Sequence, residues 1–203
     1  SQFVASGLVA GDEESDLGIT LVKAEGDDAD TYIISGASSN GNYTITFING
    51  IYTITPRGIP VAITAGGGVY GGTITPAAAS LSGVAEGDEV SVTLTYTGTS
   101  YSGVSVSGTE VPALAGSYIV TASVADGNYT LTGNASAAFV VDRMTVEKPS
   151  AAAVTYTGTA LASGISETDR YTVSEPENMV DAGSYTVVLT LKDAANTRWA
   201  ETD

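Results

Sequence analysis

The chain of 203 residues contains no cysteine and no histidine. Without cysteine, no disulfide can hold its parts together and no thiolate can act as a nucleophile or a metal ligand. Without histidine, the commonest general base and the commonest metal ligand are both missing. An extracellular protein of small modules that lacks cysteine is more typical of bacterial surfaces than of disulfide-rich animal ectodomains.

Basic residues are also scarce, with seven Lys and Arg against 23 Asp and Glu and a formal net charge of −16. This balance argues against a protein that binds nucleic-acid phosphates and against docking on anionic lipid. No apolar run has the length that a bilayer span requires. We therefore expect no nucleic-acid partner and no direct membrane insertion.

The chain is rich in Thr, Ser, Ala, Gly, Val and Tyr, a composition that favours strands and turns. No stretch of three helical turns carries an apolar stripe. By contrast, Val90, Val92, Leu94 and Tyr96 alternate with polar residues, as they would in a half-buried strand. The sequence predicts a mainly β protein with little helix.

One segment organises the chain: a turn of small residues, a tyrosine and a β-type run. It occupies residues 181–191, and similar segments occur at 115–124 and 29–36. The tyrosines of the first two copies, Tyr32 and Tyr118, are 86 positions apart. Three further pairs have the same spacing of 86: Tyr43 and Tyr129, Arg57 and Arg143, and Tyr70 and Tyr156. Several anchors at one spacing indicate an internal repeat.

The repeat predicts three small β-modules arranged end to end. Residues 1–56 form a first module that lacks its N-terminal strands. Residues 57–143 form a complete middle module with an extra hairpin. Residues 144–203 form a third module that is truncated at its C-terminus. Modules of this size have modest cores, so we expect each to depend on its neighbours in the same chain.

Two patterns resemble a known class of repeats. They are residues 42–56, and residues 156–159 followed by 181–187. Together they are similar to the MBG (mostly β-grasp) and Ig-like repeats of large bacterial surface proteins, and the similarity covers nearly the whole chain. It implies an extracellular location on the bacterial cell surface or cell wall, in a stalk or adhesive arm. It transfers no catalytic residue.

The segment that ends in Tyr185 also resembles the tyrosine corner of Ig-type sandwiches, in which a tyrosine hydroxyl bonds to nearby backbone. A β-grasp-like module and an Ig-like sandwich both remain open. Because Tyr32, Tyr118 and Tyr185 recur at one module position, we predict that they are structural core or corner residues. Trp199 is predicted to fill the core of the third module.

Three tyrosines do not recur: Tyr96, Tyr101 and Tyr171. We expect them to be exposed, and they are the candidate contacts for a glycan or protein ligand, since aromatic rings stack on sugars and dominate interfaces.

Asp27, Asp28 and Asp30 are the best candidates for a calcium site, because carboxylate oxygens suit this ion. They lack the ligand order of a dedicated calcium loop, so a solvated turn is the simpler interpretation and no cofactor is predicted.

A covalent amide between Lys148 and Asn196 is a separate hypothesis for how the third module is held together, since the two residues lie near its start and its end.

These observations favour a non-enzymatic structural or adhesive segment that acts as a stalk or spacer. The alternative is a carbohydrate- or protein-binding module that uses the non-repeated tyrosines. No pair of carboxylates stands in a context typical of an active site, so we predict that the chain is not an enzyme.

Overall fold

A computed structural model describes residues 3–201, and it is built almost entirely of strands. One short 3₁₀ helix spans Glu14–Leu17. The strands are β1 (Ile19–Lys23), β2 (Thr31–Ser38), β3 (Gly50–Thr53), β4 (Arg57–Thr64), β5 (Gly67–Val69), β6 (Ile74–Thr75), β7 (Ala78–Leu81), β8 (Val92–Ser100), β9 (Ser105–Gly108), β10 (Gly116–Val124), β11 (Tyr129–Thr132), β12 (Ser136–Asp142), β13 (Met144–Val146), β14 (Tyr171–Ser174), β15 (Val188–Leu191) and β16 (Thr197–Trp199). The prediction of a mainly β fold with little helix is confirmed.

Strand burial follows the alternation seen in the sequence. In β10, Gly116, Tyr118, Val120 and Ala122 are buried while the residues between them are exposed. A period of two puts every second side chain on the same face of a sheet. One face of β10 is therefore packed and the other is solvated.

The described chain divides into two compact units. The first contains residues 3–59 and 125–130, and the second contains residues 60–124 and 131–201. The three modules, at 1–56, 57–143 and 144–203, stay a prediction from the repeat. We keep their names, first, middle and third, to refer to these stretches of sequence.

The first unit contains the antiparallel sheet β1-β2-β3. Its central strand is β2, in which Tyr32 lies opposite Tyr52 of β3 and Ile34 lies opposite Lys23 of β1. Leu17 of the 3₁₀ helix is buried in this unit, with 3% of its surface exposed.

The second unit contains a six-stranded sheet of order β6-β5-β12-β10-β8-β9. β12 lies between β10, to which it is antiparallel, and β5, to which it is parallel. The core on this sheet joins Ala77, Tyr96, Tyr118, Val120, Phe139 and Val141. The rings of Tyr96 and Phe139 meet edge to face, with centroids 4.9 Å apart, a favourable arrangement for an aromatic pair.

Three smaller sheets complete the fold. One has the order β11-β4-β7. The other two are the parallel pair β13-β16 and the antiparallel pair β14-β15 of the third module. Within residues 3–201, no helical segment has the length and hydropathy needed to cross a bilayer.

Candidate functional site

The repeated tyrosines make the same hydrogen bond in each module. The hydroxyl of Tyr32 donates to the carbonyl oxygen of Asp28 at 2.8 Å. The hydroxyls of Tyr118 and Tyr185 donate to the carbonyl oxygens of Leu114 and Asp181, both at 2.9 Å. In every case the acceptor lies four residues upstream, as in a tyrosine corner.

The three tyrosines differ in burial although their hydrogen bonds match. Tyr32 has 9% and Tyr118 has 2% of its surface exposed, whereas Tyr185 has 42% exposed. The corner bond needs only the turn that precedes the tyrosine. Burial needs neighbouring strands, and these differ between the modules.

Burial raises the pKa of the Tyr118 hydroxyl above its usual value, and the nearby Tyr101 adds to this increase. The pKa of Tyr32 is raised as well, first by burial and then by the carboxylates of Asp28 and Asp30. Both effects disfavour the negatively charged phenolate. The two corner hydroxyls are thus held as neutral hydrogen-bond donors.

A second repeated feature involves Asn128, which lies in the turn before β11. Its side-chain Oδ1 accepts a hydrogen bond from the backbone N–H of Ala29 at 2.5 Å. Its backbone oxygen accepts one from the N–H of Arg57 at 2.8 Å. Its Nδ2 donates to Oδ1 of Asp28 at 2.8 Å. All four residues belong to the first unit.

Asn196 makes two similar contacts inside the second unit, through its Oδ1 and its backbone oxygen. Its Oδ1 accepts from the backbone N–H of Ala115 at 2.9 Å, and its backbone oxygen accepts from the N–H of Met144 at 2.9 Å. Its Nδ2 donates to the carboxylate of Asp193 at 3.0 and 3.1 Å. Only 6% of Asn196 is exposed. These hydrogen bonds satisfy the polar atoms of the buried amide, as is usual for buried polar groups.

The contacts of Oδ1 and of the backbone oxygen have similar places in the repeat, although Met144 lies one residue beyond Arg143, the match of Arg57 at the spacing of 86. Ala29 and Ala115 each precede a corner tyrosine by three residues, while Arg57 and Met144 are the first residues of the middle and third modules. Each asparagine therefore links the corner of one module to the beginning of the next. We call Asn128 and Asn196 the junction asparagines.

Sequence reasoning did not find this role. The sequence did not single out Asn128, and it suggested Asn196 only as a possible partner of Lys148 in a covalent amide. The available signal was an asparagine ten or eleven residues after a corner tyrosine in two copies. Lys148 itself is exposed, and whether it is linked to Asn196 stays a prediction.

The candidate calcium ligands Asp27, Asp28 and Asp30 are exposed and have separate contacts. Asp28 bonds Asn128, Asp30 accepts the N–H of Thr31 at 2.7 Å, and Asp27 lies 3.9 Å from the amine of Lys23. Across residues 3–201, no three His, Cys, Asp or Glu side chains are grouped so that they could hold a metal ion.

The expected exposure of the non-repeated tyrosines is wrong for Tyr96 and Tyr171, which have 2% and 8% of their surfaces exposed. Tyr96 lies on the inward face of β8, and its hydroxyl accepts the N–H of Ala77 at 3.1 Å. Tyr171 packs against Trp199, with ring centroids 5.4 Å apart. Their place on the packed face of a strand, not their recurrence, decides their burial.

Tyr101 is exposed as expected, at 49% of its surface. One face of its ring is covered by the guanidinium of Arg143, 4.4 Å from the ring centroid. The Nε of Arg143 in turn donates to the carbonyl oxygen of Ala195 at 3.0 Å, next to Asn196. Tyr101 thus lies beside the second junction.

Trp199, predicted to fill the core of the third module, is half-buried against Tyr171.

Comparison with curated proteins and with solved structures gives no significant match. A family model does match part of the chain, in agreement with the similarity seen in the sequence. The match begins in the N-terminal region and ends at the last residue of β3. Residues 1–53 match the MBG domain of the YGX type, so this part of the chain is similar to an MBG-type repeat.

Proposed function

We propose that this chain is a non-enzymatic structural segment of a bacterial surface protein, in which linked β-modules act as a stalk or spacer. The MBG match over residues 1–53 supports a repeat domain of surface proteins. The observation that carries the proposal is the repeated contact of the junction asparagines, because a spacer must transmit position from one module to the next.

The second junction shows what such a contact contributes. Asn196 is buried and satisfies the N–H groups of Ala115 and Met144. Replacing its side chain leaves a buried N–H without an acceptor, which costs about 1–3 kcal/mol. Opening the junction would expose this cost, so the junction is stiffer than a flexible linker. The modules on its two sides therefore keep a defined spacing.

Arg143 adds a second contact at this junction through the ring of Tyr101 and the carbonyl of Ala195. A cation over an aromatic ring contributes about 0.5–1 kcal/mol at an exposed site. The extra hairpin of the middle module therefore serves the junction in this proposal. The extracellular location and the absence of a cofactor are parts of the same proposal.

Small-angle scattering of the intact chain, combined with junction variants, tests the proposal. A single globular domain of this length has a radius of gyration of about 17 Å, and a spacer should exceed that value clearly. Asn196→Ala should increase proteolytic cleavage around residues 143–144 and broaden the distance distribution. Asn134→Ala is the matched control, because Asn134 is exposed and, among the residues that the structure describes, its side chain bonds only to Ser136 nearby.

A radius of gyration near 17 Å would contradict the stalk, whatever the variants do. Equal proteolysis of Asn196→Ala and Asn134→Ala would contradict the role of the junction asparagine. The radius of gyration therefore tests the stalk function, and the proteolysis of the two variants tests the role of Asn196 in it.

A further inference from the structure

Strand β1 is an open edge of the sheet in the first unit. Among the residues that the structure describes, it pairs only with β2, in the order β1-β2-β3. Its equivalent in the middle module is β8. Lys23 of β1 lies opposite Ile34, two residues after the first corner tyrosine. Tyr96 of β8 lies opposite Val120, two residues after the second. β8, however, pairs with β10 on one side and with β9 on the other.

The open edge of β1 comes from a shorter stretch inside the first module. Both partners of β8 follow it in the sequence, and the strands that precede it, β4 to β7, pair with other strands. Gly7 and Tyr32 are 25 positions apart, whereas the matching Gly83 and Tyr118 are 35 positions apart. β9 lies within this longer stretch. The edge of β1 is therefore open because the hairpin of β9 is missing between β1 and β2.

Alternate residues of β1 direct their backbone groups to the open edge. The N–H of Ala24, just after β1, donates to the carbonyl oxygen of Ile33 at 2.9 Å. In an antiparallel pair the hydrogen-bonded residues alternate along the strand, so the even-numbered residues of β1 bond to β2. Ile19, Leu21 and Lys23 therefore present their N–H and C=O groups outward.

In the middle module, β9 bonds to the equivalent groups of β8. The N–H of Ser100, at the end of β8, donates to the carbonyl oxygen of Val104 at 2.9 Å. The even-numbered residues of β8 therefore bond to the hairpin of β9, among them Tyr96, which lies opposite Gly108. Lys23 has the place of Tyr96 in the first module. A strand added to β1 would thus extend the sheet as β9 extends it one module later.

The open edge of β1 is not shielded by charge. Edge strands of natural proteins are commonly protected by charged side chains, proline or a bulge. The one charged residue of β1 is Lys23, and its amine lies over the sheet, 4.1 Å from the centroid of the Tyr32 ring. Residues 17–24 contain none of the 23 acidic residues of the chain. Two negatively charged chains can therefore approach each other along this strand.

The sequence of β1 also fits an antiparallel copy of itself. With a two-fold axis at Leu21, this residue lies opposite Leu21 of the second copy, and Ile19 lies opposite Lys23 in both directions. All three residues have outward backbone groups, so each pair exchanges two hydrogen bonds. The side chains of Ile19 and Leu21 are partly buried on one face of the strand, where the methylenes of Lys23 from the second copy would cover Ile19.

We propose that two copies of this chain associate through their β1 strands, in antiparallel register about Leu21, so that the two sheets β1-β2-β3 become one continuous sheet. The same strand is used by both copies, so the contact closes at the dimer. The inference concerns the first unit alone and does not rest on the spacer function. It adds a specific pairing of two chains to that function.

The absence of cysteine makes disulfide cross-linking a direct test in the intact chain. In the proposed register the Cα atoms of the two Leu21 residues are about 5.5 Å apart, a separation that a disulfide spans. Leu21→Cys should therefore form a disulfide-linked dimer under mild oxidation.

Val22→Cys is the matched control for Leu21→Cys. Val22 lies opposite Thr20 of the second copy in this register, so the two Val22 residues do not face each other. Val22 is 57% exposed whereas Leu21 is partly buried. Chance collision would therefore cross-link Val22→Cys more readily, and the proposed dimer should cross-link Leu21→Cys more readily.

Sedimentation velocity measures the association without a cross-link, and the dimer fraction of the unmodified chain should increase with its concentration. Leu21→Pro should weaken dimerisation about 10-fold, because it removes the outward N–H from both copies and leaves the bonds to β2 in place. Ser107→Pro is the matched control, since it removes an outward N–H from β9, the edge strand of the other unit. It should leave dimerisation unchanged.

A chain that stays monomeric at every concentration would overturn the proposal, and so would cross-linking of Val22→Cys that equals or exceeds that of Leu21→Cys. Growth beyond the dimer would also overturn it, because the contact would then join unlike edges. Hydrogen exchange of the β2 amides shows whether Leu21→Pro is folded. A folded Leu21→Pro that dimerises fully would place the contact on another surface, and if this variant unfolds, the two cysteine variants decide.

Discussion

The middle and third modules contain the same tyrosine corner in different surroundings. In the middle module, β10 lies between β8 and β12, and Tyr118 is 2% exposed. In the third module, β15 pairs with β14 within the described residues, and Tyr185 is 42% exposed. Both hydroxyls still bond the carbonyl four residues upstream at 2.9 Å. The corner is thus a local device, whereas burial of its ring depends on a distant strand.

The strand paired with the corner strand also carries a different type of residue in a well-covered module and in a less covered one. In the middle module Tyr96 lies opposite Val120, where Phe139 covers it. The first module has Lys23 at the corresponding place, opposite Ile34, with its amine 4.1 Å from the centroid of the Tyr32 ring. Where less of the module covers the sheet, a long cationic side chain replaces an aromatic one and keeps its charge in water.

The largest effect that would sharpen this comparison is expected for Phe139→Ala. Phe139 is fully buried between Tyr96 and Tyr118, and such truncations cost about 3–5 kcal/mol through lost burial and a cavity. Hydrogen–deuterium exchange of β10 amides should accelerate accordingly, because these amides open with the sheet.

Tyr52→Ala is the matched control for Phe139→Ala. Tyr52 lies opposite Tyr32, as Phe139 lies opposite Tyr118, but it is 47% exposed. Its truncation should cost about 1–2 kcal/mol, measured by exchange of β2 amides. Equal losses for the two variants would contradict the view that the burial of Phe139, and not its place opposite a corner tyrosine, decides the cost of truncation.

A smaller effect is expected when a corner hydroxyl alone is removed. Tyr118→Phe should cost about 1 kcal/mol, because the Leu114 carbonyl loses its partner beside a buried ring. Tyr185→Phe should cost less than about 0.5 kcal/mol, since water can replace the hydroxyl at an exposed site. Urea unfolding followed by circular dichroism and by Trp199 emission measures both. A larger loss for Tyr185→Phe would show that the corner bond itself, not its burial, sets the stability.

Much of the fold could be predicted from the sequence because its signals are local. Alternation gave the strand β8, and the recurrent small-residue turn gave the three corners at Tyr32, Tyr118 and Tyr185. The hydrogen bond of each corner spans four residues, so a short motif determines it. The MBG match over residues 1–53 agrees with the family resemblance of residues 42–56.

What the sequence did not predict depends on residues far apart in the chain. Tyr96 is buried by Phe139, 43 positions later, and recurrence within the repeat says nothing about that contact. Asn196 bonds Ala115 across 81 positions. Its neighbours in sequence suggest only a turn, so its role at the junction emerges only when the strands are paired.

The smallest effect is expected on the stability of the chain at alkaline pH, and it depends on the burial of the Tyr118 hydroxyl. The pKa of Tyr118 is raised above 10.0 in the folded chain by burial, so between pH 10 and that raised value the unfolded chain releases this proton while the folded chain keeps it. Stability is therefore complete below pH 10 and falls as the pH increases further. Tyr118→Phe should show a shallower decrease in urea midpoint between pH 9 and pH 11 than the unmodified chain. Ser117→Ala, an exposed change next to it, should retain the full slope. If Tyr118→Phe also retained the full slope, the burial of this hydroxyl would make no contribution to alkaline unfolding.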